Sequence, residues 1–448
     1  MFHCSIVSLL KRFYNNEAMK PRKHETMKPS ILLLLTTIFF SSCFLTKPAV
    51  KKEDQEKKED KEIVVIDSVK DDDKKDDVKN DLKLLDEYHI SVLLPFNLDT
   101  VDLFSIDPDE DDFPRTTQTS VQFYEGMMMA LDQLKNQGLK AVVHVYDTES
   151  NEYEINSIIK DADFIKSNLI IGPVAGKQVQ TVADFAKLNQ IPMISPITSA
   201  NNISGNAFFV SMNPTAKIHA QAIMDYAYSK FTDSNIMMIS EKTESAEELA
   251  DYIRSYSARF SHDTINTFYT GVYVDQKKAE EQLKVTLPNV IIIPSFDEAF
   301  VTSVTRTLSQ LADDYQITVF GMPNWIDFES TRLDYYQLLN LHITDAFFLS
   351  RVEMIEHPIF SDYSLTYQAE PGEYVYRGYE IMYYFGKLIA TKGLSMMDYL
   401  NDEEIKKSCS SPFDMQLVNH GKTDMIDYYE NHHVEILRLM DFELVKAE

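Results

Sequence analysis

Residues 172–177 (Gly-Pro-Val-Ala-Gly-Lys) carry the residue types of a phosphate-binding loop, in which glycine amides and a lysine hold a phosphate group. The interval between the two glycines is one residue short of that motif. Gln178 also stands where a serine or threonine would bind magnesium, so nucleotide hydrolysis of this type is excluded. Two interpretations stay open: backbone amides at the start of a helix attract an anion such as a carboxylate, or the turn only caps the helix.

Two further groups of residues are typical of metal sites. Residues 107–112 alternate acidic side chains as calcium loops do, but Asp112 stands at the sixth position, where such loops need glycine, and Gln118 replaces the closing glutamate. We therefore interpret them as a solvated loop. His432 and His433 are adjacent and would point to opposite faces of a strand. We predict no metal site from either group.

Motifs of the common enzyme classes are missing from the sequence. It contains no Gly-x-Ser-x-Gly, His-Glu-x-x-His or Cys-x-x-Cys pattern. We therefore predict no catalytic residue and no cofactor, and we predict that the protein is not an enzyme. The three cysteines, Cys4, Cys43 and Cys409, cannot form an internal disulfide framework, because the first two belong to the amino-terminal region before the folded part. Cys409 is then a lone thiol, either reactive or, as is more common, passive.

Two short buried strands and one helix would position the loop at 172–177. Leu169–Ile171 is an apolar run too short for a helix, so a strand buried on both faces is predicted. Apolar residues recur at helical spacing over residues 178–189, and residues 191–194 resume a strand. This β-α-β unit implies parallel pairing. Ligands of open parallel sheets bind outside the carboxyl ends of the strands, so this loop and residues 195–200 should line one crevice.

Predicted strands alternate with predicted helices from residue 89 onward. The other predicted strands are residues 90–95, 141–146, 207–212, 235–240, 267–273, 290–294, 317–321 and 434–440. This alternation predicts an α/β architecture with doubly wound parallel sheets.

The same segment resembles a known family. Ile-Ile-Gly-Pro at 170–173 before a helix, then Ile-Pro-Met-Ile-Ser-Pro at 191–196 followed by small hydroxyl residues, is similar to type I periplasmic-binding proteins, the branched-chain amino-acid receptors in particular. The resemblance covers residues 89–448 and implies two doubly wound parallel-sheet lobes, joined by crossing hinge strands, that close over a ligand. It implies that lobe 1 comprises residues 88–212 and 351–417 and that lobe 2 comprises residues 213–350 and 418–448.

The resemblance also implies where a small-molecule ligand in the cleft between the lobes would contact the chain. The matching positions are Val174, Ala175, Gly176, Thr198, Ser199, Ser245, Phe296 and Asn324. Residues 174–176 replace a serine-rich turn of the family, and Asn324 with Pro323 stands where an acidic residue pairs with the ammonium group of an amino acid. A buried cation without an opposing charge is costly, so an amino-acid ligand would need Glu241 or Asp297 as a substitute.

The amino-terminal region is typical of a targeting segment. A basic residue, Lys28, precedes an apolar run over residues 31–40, which is well short of the roughly 20 residues that span a bilayer. The run and the Ser-Ser-Cys that follows resemble a bacterial lipoprotein signal with Cys43 as the acylated residue, although Phe40 stands where leucine is usual. An uncleaved apolar anchor is the alternative. Residues 1–43 are thus a predicted export signal region, with either Met1 or Met27 as the start.

Residues 44–87 are rich in lysine, aspartate and glutamate and poor in aromatic residues, which predicts a disordered, solvated tether. A flexible coil of about 40 residues reaches on the order of 35 Å. The whole chain of 448 residues carries 70 acidic and 43 basic side chains, a net charge of -27. This charge repels phosphate backbones and excludes nucleic acid as a predicted partner.

Two hypotheses about function follow. In the first, the protein is a membrane-anchored lipoprotein of the bacterial cell envelope, on the periplasmic or surface side. It closes its lobes over an amino acid or a related compound and delivers it to a permease or a sensor. In the second, a non-transport envelope lipoprotein uses the same fold to dock a protein or a cell-wall partner.

Overall fold

The computed structural model describes residues 82–99, 114–173, 176–200, 202–260, 264–330, 332–419, 421 and 425–447. The predicted signal region, the acidic loop at 107–112, Val174 and Ala175 lie outside the described residues, as do the side chains of Lys177 and Ser245. The end of the predicted tether, residues 82–87, is irregular chain, and the Leu394 amide donates a hydrogen bond to the Lys83 carbonyl at 3.0 Å. No helix among the described residues has the length and apolar character needed to cross a membrane.

The first sheet has seven strands, in the order β11-β12-β5-β4-β3-β1-β2. The strands are β1 (Tyr88–Leu94), β2 (Ala141–Asp147), β3 (Leu169–Ile171), β4 (Met193–Ser195), β5 (Phe209–Ser211), β11 (Met415–Val418) and β12 (Tyr428–Asn431). All neighbours pair in parallel except β11 with β12. The apolar runs of β3, β4 and β5 are fully buried, as continuous runs in parallel sheets are.

The second sheet also has seven strands, in the order β14-β13-β10-β9-β8-β6-β7. The strands are β6 (Asn235–Ser240), β7 (Asn266–Tyr269), β8 (Asn289–Ile292), β9 (Ile317–Phe320), β10 (His342–Asp345), β13 (Glu435–Met440) and β14 (Glu443–Lys446). The first five pair in parallel, and β13 and β14 close the sheet as an antiparallel hairpin beside β10. The predicted late strand at 434–440 is thus one arm of a hairpin.

Helices cover the faces of both sheets. In lobe 1 they are α1 (Arg115–Asn136), α2 (Glu152–Ile158), α3 (Gly176–Asn189), α10 (Phe360–Tyr367), α11 (Glu373–Lys392) and α12 (Glu403–Lys406). In lobe 2 they are α4 (Ala216–Lys230), α5 (Glu244–Ser257), α6 (Gln276–Glu280), α7 (Glu298–Ser309) and α8 (Leu333–Leu338), and α9 (Arg351–Glu356) follows the lobe 2 strands. The predicted α/β fold class, two doubly wound lobes, is confirmed.

The last crossing between the lobes differs from the predicted one at residues 417–418. Strand β12 pairs with β5 of the first sheet, and the Asn431 side-chain Nδ2 atom donates a hydrogen bond to the Met212 carbonyl at 3.3 Å. Phe209 and Tyr428 also pack edge to face, with their ring centroids 6.2 Å apart. These contacts keep the chain in lobe 1 until residues 432–434, after which β13 enters the second sheet.

The pair of helices α1 and α11 forms the centre of the lobe 1 core. In α11, 13 of 20 residues are buried, so the helix is enclosed on nearly all sides. Two glycines, Gly126 and Gly378, let the helix backbones touch: a Cβ atom at Gly126 would overlap the Val375 carbonyl, and one at Gly378 would overlap the Phe123 carbonyl. Their lack of a side chain therefore sets the spacing of the helices.

A buried polar cluster on α11 fixes the approach to β11. The Glu380 carboxylate, 1% exposed, accepts hydrogen bonds from His357 Nε2 at 2.8 Å and from the Ser410 and Ser411 amides at 3.1 Å. Each of these donors satisfies a carboxylate oxygen that would otherwise be costly to bury. The cluster anchors residues 410–411, from which the chain runs into β11.

Candidate functional site

A cavity of about 1120 Å³ lies between the two lobes. Its lobe 1 wall includes Ala200, which follows β4, and Glu430 on β12. Its lobe 2 wall includes Glu241, which follows β6, and residues 294–297, which follow β8. Because these segments follow the carboxyl ends of parallel strands, the cavity occupies the position where ligands of α/β sheets bind.

A hydrogen-bond network organises the lobe 2 wall. The Ser295 hydroxyl donates to Glu241 Oε1 at 2.7 Å and accepts from the Asp297 amide at 3.1 Å. Asp297 also caps helix α7, because its Oδ1 atom accepts from the Phe300 amide at 2.7 Å. Two carboxylates are thus held on one wall by a shared serine, which restricts how either can move.

Phe296 lies between Ser295 and Asp297 in the sequence and is 48% exposed. Behind it, the Trp325 indole N–H donates to the Ser295 carbonyl at 2.8 Å, and the buried Trp325 ring lies against Gly321. The only tryptophan of the chain therefore supports the wall from the core and does not overhang the cleft. The Asn324 amide nitrogen lies 3.5 Å from the Phe296 carbonyl, so this predicted contact residue supports the loop that carries Phe296.

On the lobe 1 side, the two predicted loops lie next to each other. A Cβ atom at Gly176 would lie 3.7 Å from the Thr198 methyl group. The Ser195 hydroxyl donates to the Thr198 carbonyl at 2.7 Å, which closes the loop after β4. Within the part of the chain that the structure describes, Gly176, Thr198 and Ser199 are not lining residues of the cavity between the lobes, whereas Ala200 is.

Phe296 is therefore the one predicted contact residue that lines the cavity among those described, and both predicted substitute acids, Glu241 and Asp297, join it. Sequence analysis missed the wall formed by β12. Glu430, 2% exposed, accepts a hydrogen bond from the Thr215 amide at 2.6 Å, and its second oxygen lies 3.4 Å from His432 Nε2. The strand-favouring pair Tyr428-Tyr429 was the available signal for this element.

The structure also bears on the lone thiol of Cys409 and on metal binding. Burial raises the pKa of the Cys409 thiol to about 12, with the nearby Glu380 carboxylate acting in the same direction. That thiol stays protonated at neutral pH, which favours the passive interpretation. Across the described ranges, no group of three or more His, Cys, Asp or Glu side chains is arranged to hold a metal ion.

An ion pair joins the two lobes. Arg115, the first residue of α1 in lobe 1, donates a hydrogen bond to Asp327 Oδ1 at 2.9 Å. Asp327 ends the 3₁₀ turn Pro323–Asp327, which follows β9 in lobe 2. Both side chains are mostly exposed, and 212 residues separate them in sequence. The pair therefore links the two lobes in the arrangement that the structure shows, and we expect it to weaken when the lobes separate.

Removing this pair should favour separated lobes slightly. Exposed ion pairs contribute about 0–1 kcal/mol, so Arg115→Ala should lower the ratio of closed to open molecules by no more than about fivefold. Small-angle scattering should show a larger radius of gyration at low ionic strength and a smaller difference at high ionic strength, because salt screens the pair. Arg332→Ala, which removes an exposed arginine paired with Asp334 inside lobe 2, is the control. Equal radii for the two variants at low ionic strength would contradict the role of this pair.

Parts of the chain are similar to a known protein family and to solved structures. A family model described as "Receptor family ligand binding region" matches residues 76–263. No curated protein sequence matches the chain. A structure of a putative branched-chain amino acid ABC transporter protein from Rhodospirillum rubrum superimposes with a TM-score of 0.59 at 12% identity, covering 81% of this chain and 100% of that one. The chain has the type I periplasmic-binding-protein fold.

Two structures of an ABC transporter substrate-binding protein from Desulfitobacterium hafniense share this fold. They superimpose with TM-scores of 0.55 and 0.53 at 14% identity, again covering 81% of this chain and 100% of each of theirs. The second of them is a complex with Leu. The type I periplasmic-binding-protein fold predicted from residues 168–200 is thus confirmed. The names of these three structures refer to transport or to substrate binding.

Proposed function

We propose that this protein binds a small solute in the cavity between its lobes and closes on it by hinge motion. The observation that carries the proposal is the cavity itself, with about 1120 Å³ of space and walls from both lobes. Small-molecule pockets usually measure about 300–1,000 Å³, so the space admits a solute of amino-acid size or larger. The leucine complex of the similar Desulfitobacterium protein supports an amino acid or a related compound as the solute.

The connections between the lobes support hinge motion. The chain passes between the two sheets at residues 212–215, 346–350 and 432–434. At the first of these, the amide of Thr215, just before α4, bonds to Glu430 on β12, so a cavity-lining carboxylate also contacts a hinge segment. Short connections that absorb a few dihedral changes allow rigid lobes to close over a ligand.

The sequence supports a proposal for where this protein is located. Cys43 is the proposed site of acylation, and residues 44–87 are the proposed tether, which would hold the protein at a bacterial membrane on its periplasmic or surface side. The export-signal pattern of residues 27–43 supports this localisation. A permease or another envelope protein would then receive the solute for transport or sensing.

A ligand screen on the full chain tests the proposal. Amino acids, amines, short peptides and cell-wall fragments would be added during thermal unfolding. A solute at 100 times its dissociation constant should stabilise the protein by about 2.7 kcal/mol, and scattering should show a smaller radius of gyration as the lobes close. The absence of any stabilising compound in the panel would contradict solute binding.

A matched pair of variants locates the site. Leu417 on β11 lines the cavity and is half-exposed, so Leu417→Trp should obstruct the cavity while a strand accommodates the aromatic side chain. Leu188 on α3 is more exposed and lies outside the cavity, so Leu188→Trp is the control. Ligand stabilisation should be lost in the first variant and kept in the second. Equal stabilisation in both would show that the solute binds elsewhere.

A further inference from the structure

The cavity between the lobes carries an excess of negative charge. Its described lining includes four carboxylates and a single lysine or arginine side chain. The carboxylates belong to Glu241, Glu248, Asp297 and Glu430, and the cation is Lys217. Lys217 Nζ lies 2.9 Å from Glu248 Oε1, so this cation is already paired with one of the four. The other three carboxylates have no lysine or arginine partner in the described lining, and only Glu430 has a histidine nearby, with His432 Nε2 at 3.4 Å.

Aromatic side chains accompany these carboxylates. Phe296 is 48% exposed although its neighbours on both sides, Ser295 and Asp297, are fixed by hydrogen bonds. Tyr252 on α5 lines the same wall. The face of an aromatic ring attracts a cation, and attraction is stronger where water is partly displaced. An exposed ring that is adjacent to Asp297 in the chain, on a wall that also carries Glu241, is a favourable environment for an alkylammonium group with its methylene chain.

The one lysine or arginine among the described lining residues, Lys217, is already paired with Glu248 and is therefore a poor partner for a carboxylate on the ligand. The side chains and amides that would favour an anion, at Gly176, Thr198 and Ser199, are not among the described lining residues. A ligand carboxylate would instead meet Glu241, Asp297 and Glu430, and like charges at short distance repel each other strongly in a partly enclosed site. The charge of the lining therefore discriminates between amines and amino acids.

We propose that the solute is an organic amine cation without a carboxylate, such as a linear diamine, held with one ammonium group against Glu241, Asp297 and the Phe296 ring. This inference rests on the proposed function, that the cavity binds a small solute. The second ammonium group has room to extend toward Glu430 on the opposite lobe, because the cavity exceeds the volume of an amino acid. The contacts from both lobes would then favour closure.

Calorimetric titration of the full chain with three probes tests the inference. The probes are 1,5-diaminopentane, lysine, which has the same skeleton plus a carboxylate, and leucine. The diamine is expected to bind at least about tenfold more tightly than lysine, and leucine more weakly than lysine. Its affinity should also fall with ionic strength. Tighter binding of lysine or leucine than of the diamine would overturn the inference while supporting solute binding.

A double variant tests the assigned wall. Glu241→Gln with Asp297→Asn removes both charges but keeps the shape, and asparagine still caps helix α7. Diamine affinity should fall at least about tenfold in this variant. Glu244→Gln with Glu281→Gln removes two exposed charges outside the cavity and should leave the affinity within about twofold. Unchanged affinity in the first variant, with folding verified by circular dichroism, would overturn the inference.

The outcomes also separate this inference from the proposed function. If none of the three probes binds but another solute of the wider screen does, only the inference fails. If nothing binds at all, the proposed function fails with it.

Discussion

Replacing Gly378 with alanine is expected to destabilise lobe 1 by about 3 kcal/mol, at the upper end of what overpacking usually costs. The added methyl group would overlap the Phe123 carbonyl of helix α1, which is backbone and cannot rotate away. The helices α1 and α11 would have to separate, and the buried Tyr379, Met382 and Tyr383 on α11 would lose their packing. Alanine favours helix formation over glycine by about 1 kcal/mol, which offsets only part of this loss.

Urea unfolding of the full chain measures the effect. Gly126→Ala, on the opposite helix of the same crossing, should destabilise by a similar amount, because its methyl group would overlap the Val375 carbonyl. Gly271→Ala is the control, since that residue has open space around it and lies outside the helices. It should change the free energy of unfolding by less than about 0.5 kcal/mol. A stable Gly378→Ala protein with an unchanged unfolding midpoint would show that the two helices do not touch as described.

The architecture of this chain could be predicted from local sequence because its central strands are short apolar runs closed by turn residues. Leu169–Ile171 ends at Gly172-Pro173 and is followed by a helical repeat, a pattern that has few alternatives to a β-α-β unit. The helix begins at Gly176, two residues before the predicted start at residue 178. The parallel pairing of β3 with β4 followed from their connection through a helix, without knowledge of side-chain packing.

The wall formed by β12 could not be predicted in the same way. Residues 428–431 form a short strand with charged and amide side chains, and its place depends on pairing with β5, more than 200 residues earlier. Strand propensity reflects packing against neighbours more than an intrinsic backbone preference, so the pair Tyr428-Tyr429 alone is a weak signal for a four-residue strand that ends in glutamate and asparagine. The predicted lobe boundary at 417–418 assigned residues 428–431 to lobe 2, whereas β12 belongs to the first sheet, and Glu430 was not among the predicted contact residues.

The predicted ligand contacts differ from the cavity lining for a related reason. Family resemblance placed Thr198 and Ser199 in the cleft, but the Thr198 carbonyl accepts a hydrogen bond from the Ser195 hydroxyl. That contact is a property of the folded loop, not of residue type. In contrast, Glu241 and Asp297 were considered because a buried ammonium group needs an opposing charge. The fold brings both residues to the lobe 2 wall together with Phe296, because Glu241 follows β6 and Asp297 follows β8.

Replacing Glu125 with glutamine is expected to remove a pH dependence of stability worth about 3 kcal/mol. Glu125 on α1 is 1% exposed, its Oε2 atom accepts a hydrogen bond from the Tyr363 hydroxyl at 2.7 Å, and its Oε1 atom has no hydrogen-bond partner. Burial raises the pKa of this carboxyl from 4.5 to about 7, although the Tyr363 hydrogen bond opposes the rise. A difference of this size between folded and unfolded states corresponds to about 3 kcal/mol.

Proton binding by Glu125 determines the direction in which stability changes with pH. Between pH 4.5 and about 7 the folded protein keeps a proton on Glu125 that the unfolded chain has released, so stability falls as the pH rises through this window. Above pH 7 both states are ionised and the loss is complete. The buried His219 and His342 of lobe 2, whose pKa values burial lowers to about 4, act in the opposite direction below pH 6.5. The wild-type curve alone therefore does not isolate Glu125.

Urea unfolding of wild type and Glu125→Gln at pH 5 and pH 8 isolates the contribution of Glu125, as the difference between the free energies of unfolding of the two proteins at each pH. The glutamine amide adds buried hydrogen-bond donors, which lower the free energy of unfolding by the same amount at both pH values. The buried negative charge lowers it only in the wild type, and only at the higher pH. Stability relative to wild type should therefore rise by about 3 kcal/mol from pH 5 to pH 8. Glu281→Gln, an exposed residue with the same change in charge, should give no comparable rise. Parallel curves for wild type and Glu125→Gln would mean that the carboxyl is not buried against Tyr363, and the packing of α10 on α1 would need revision.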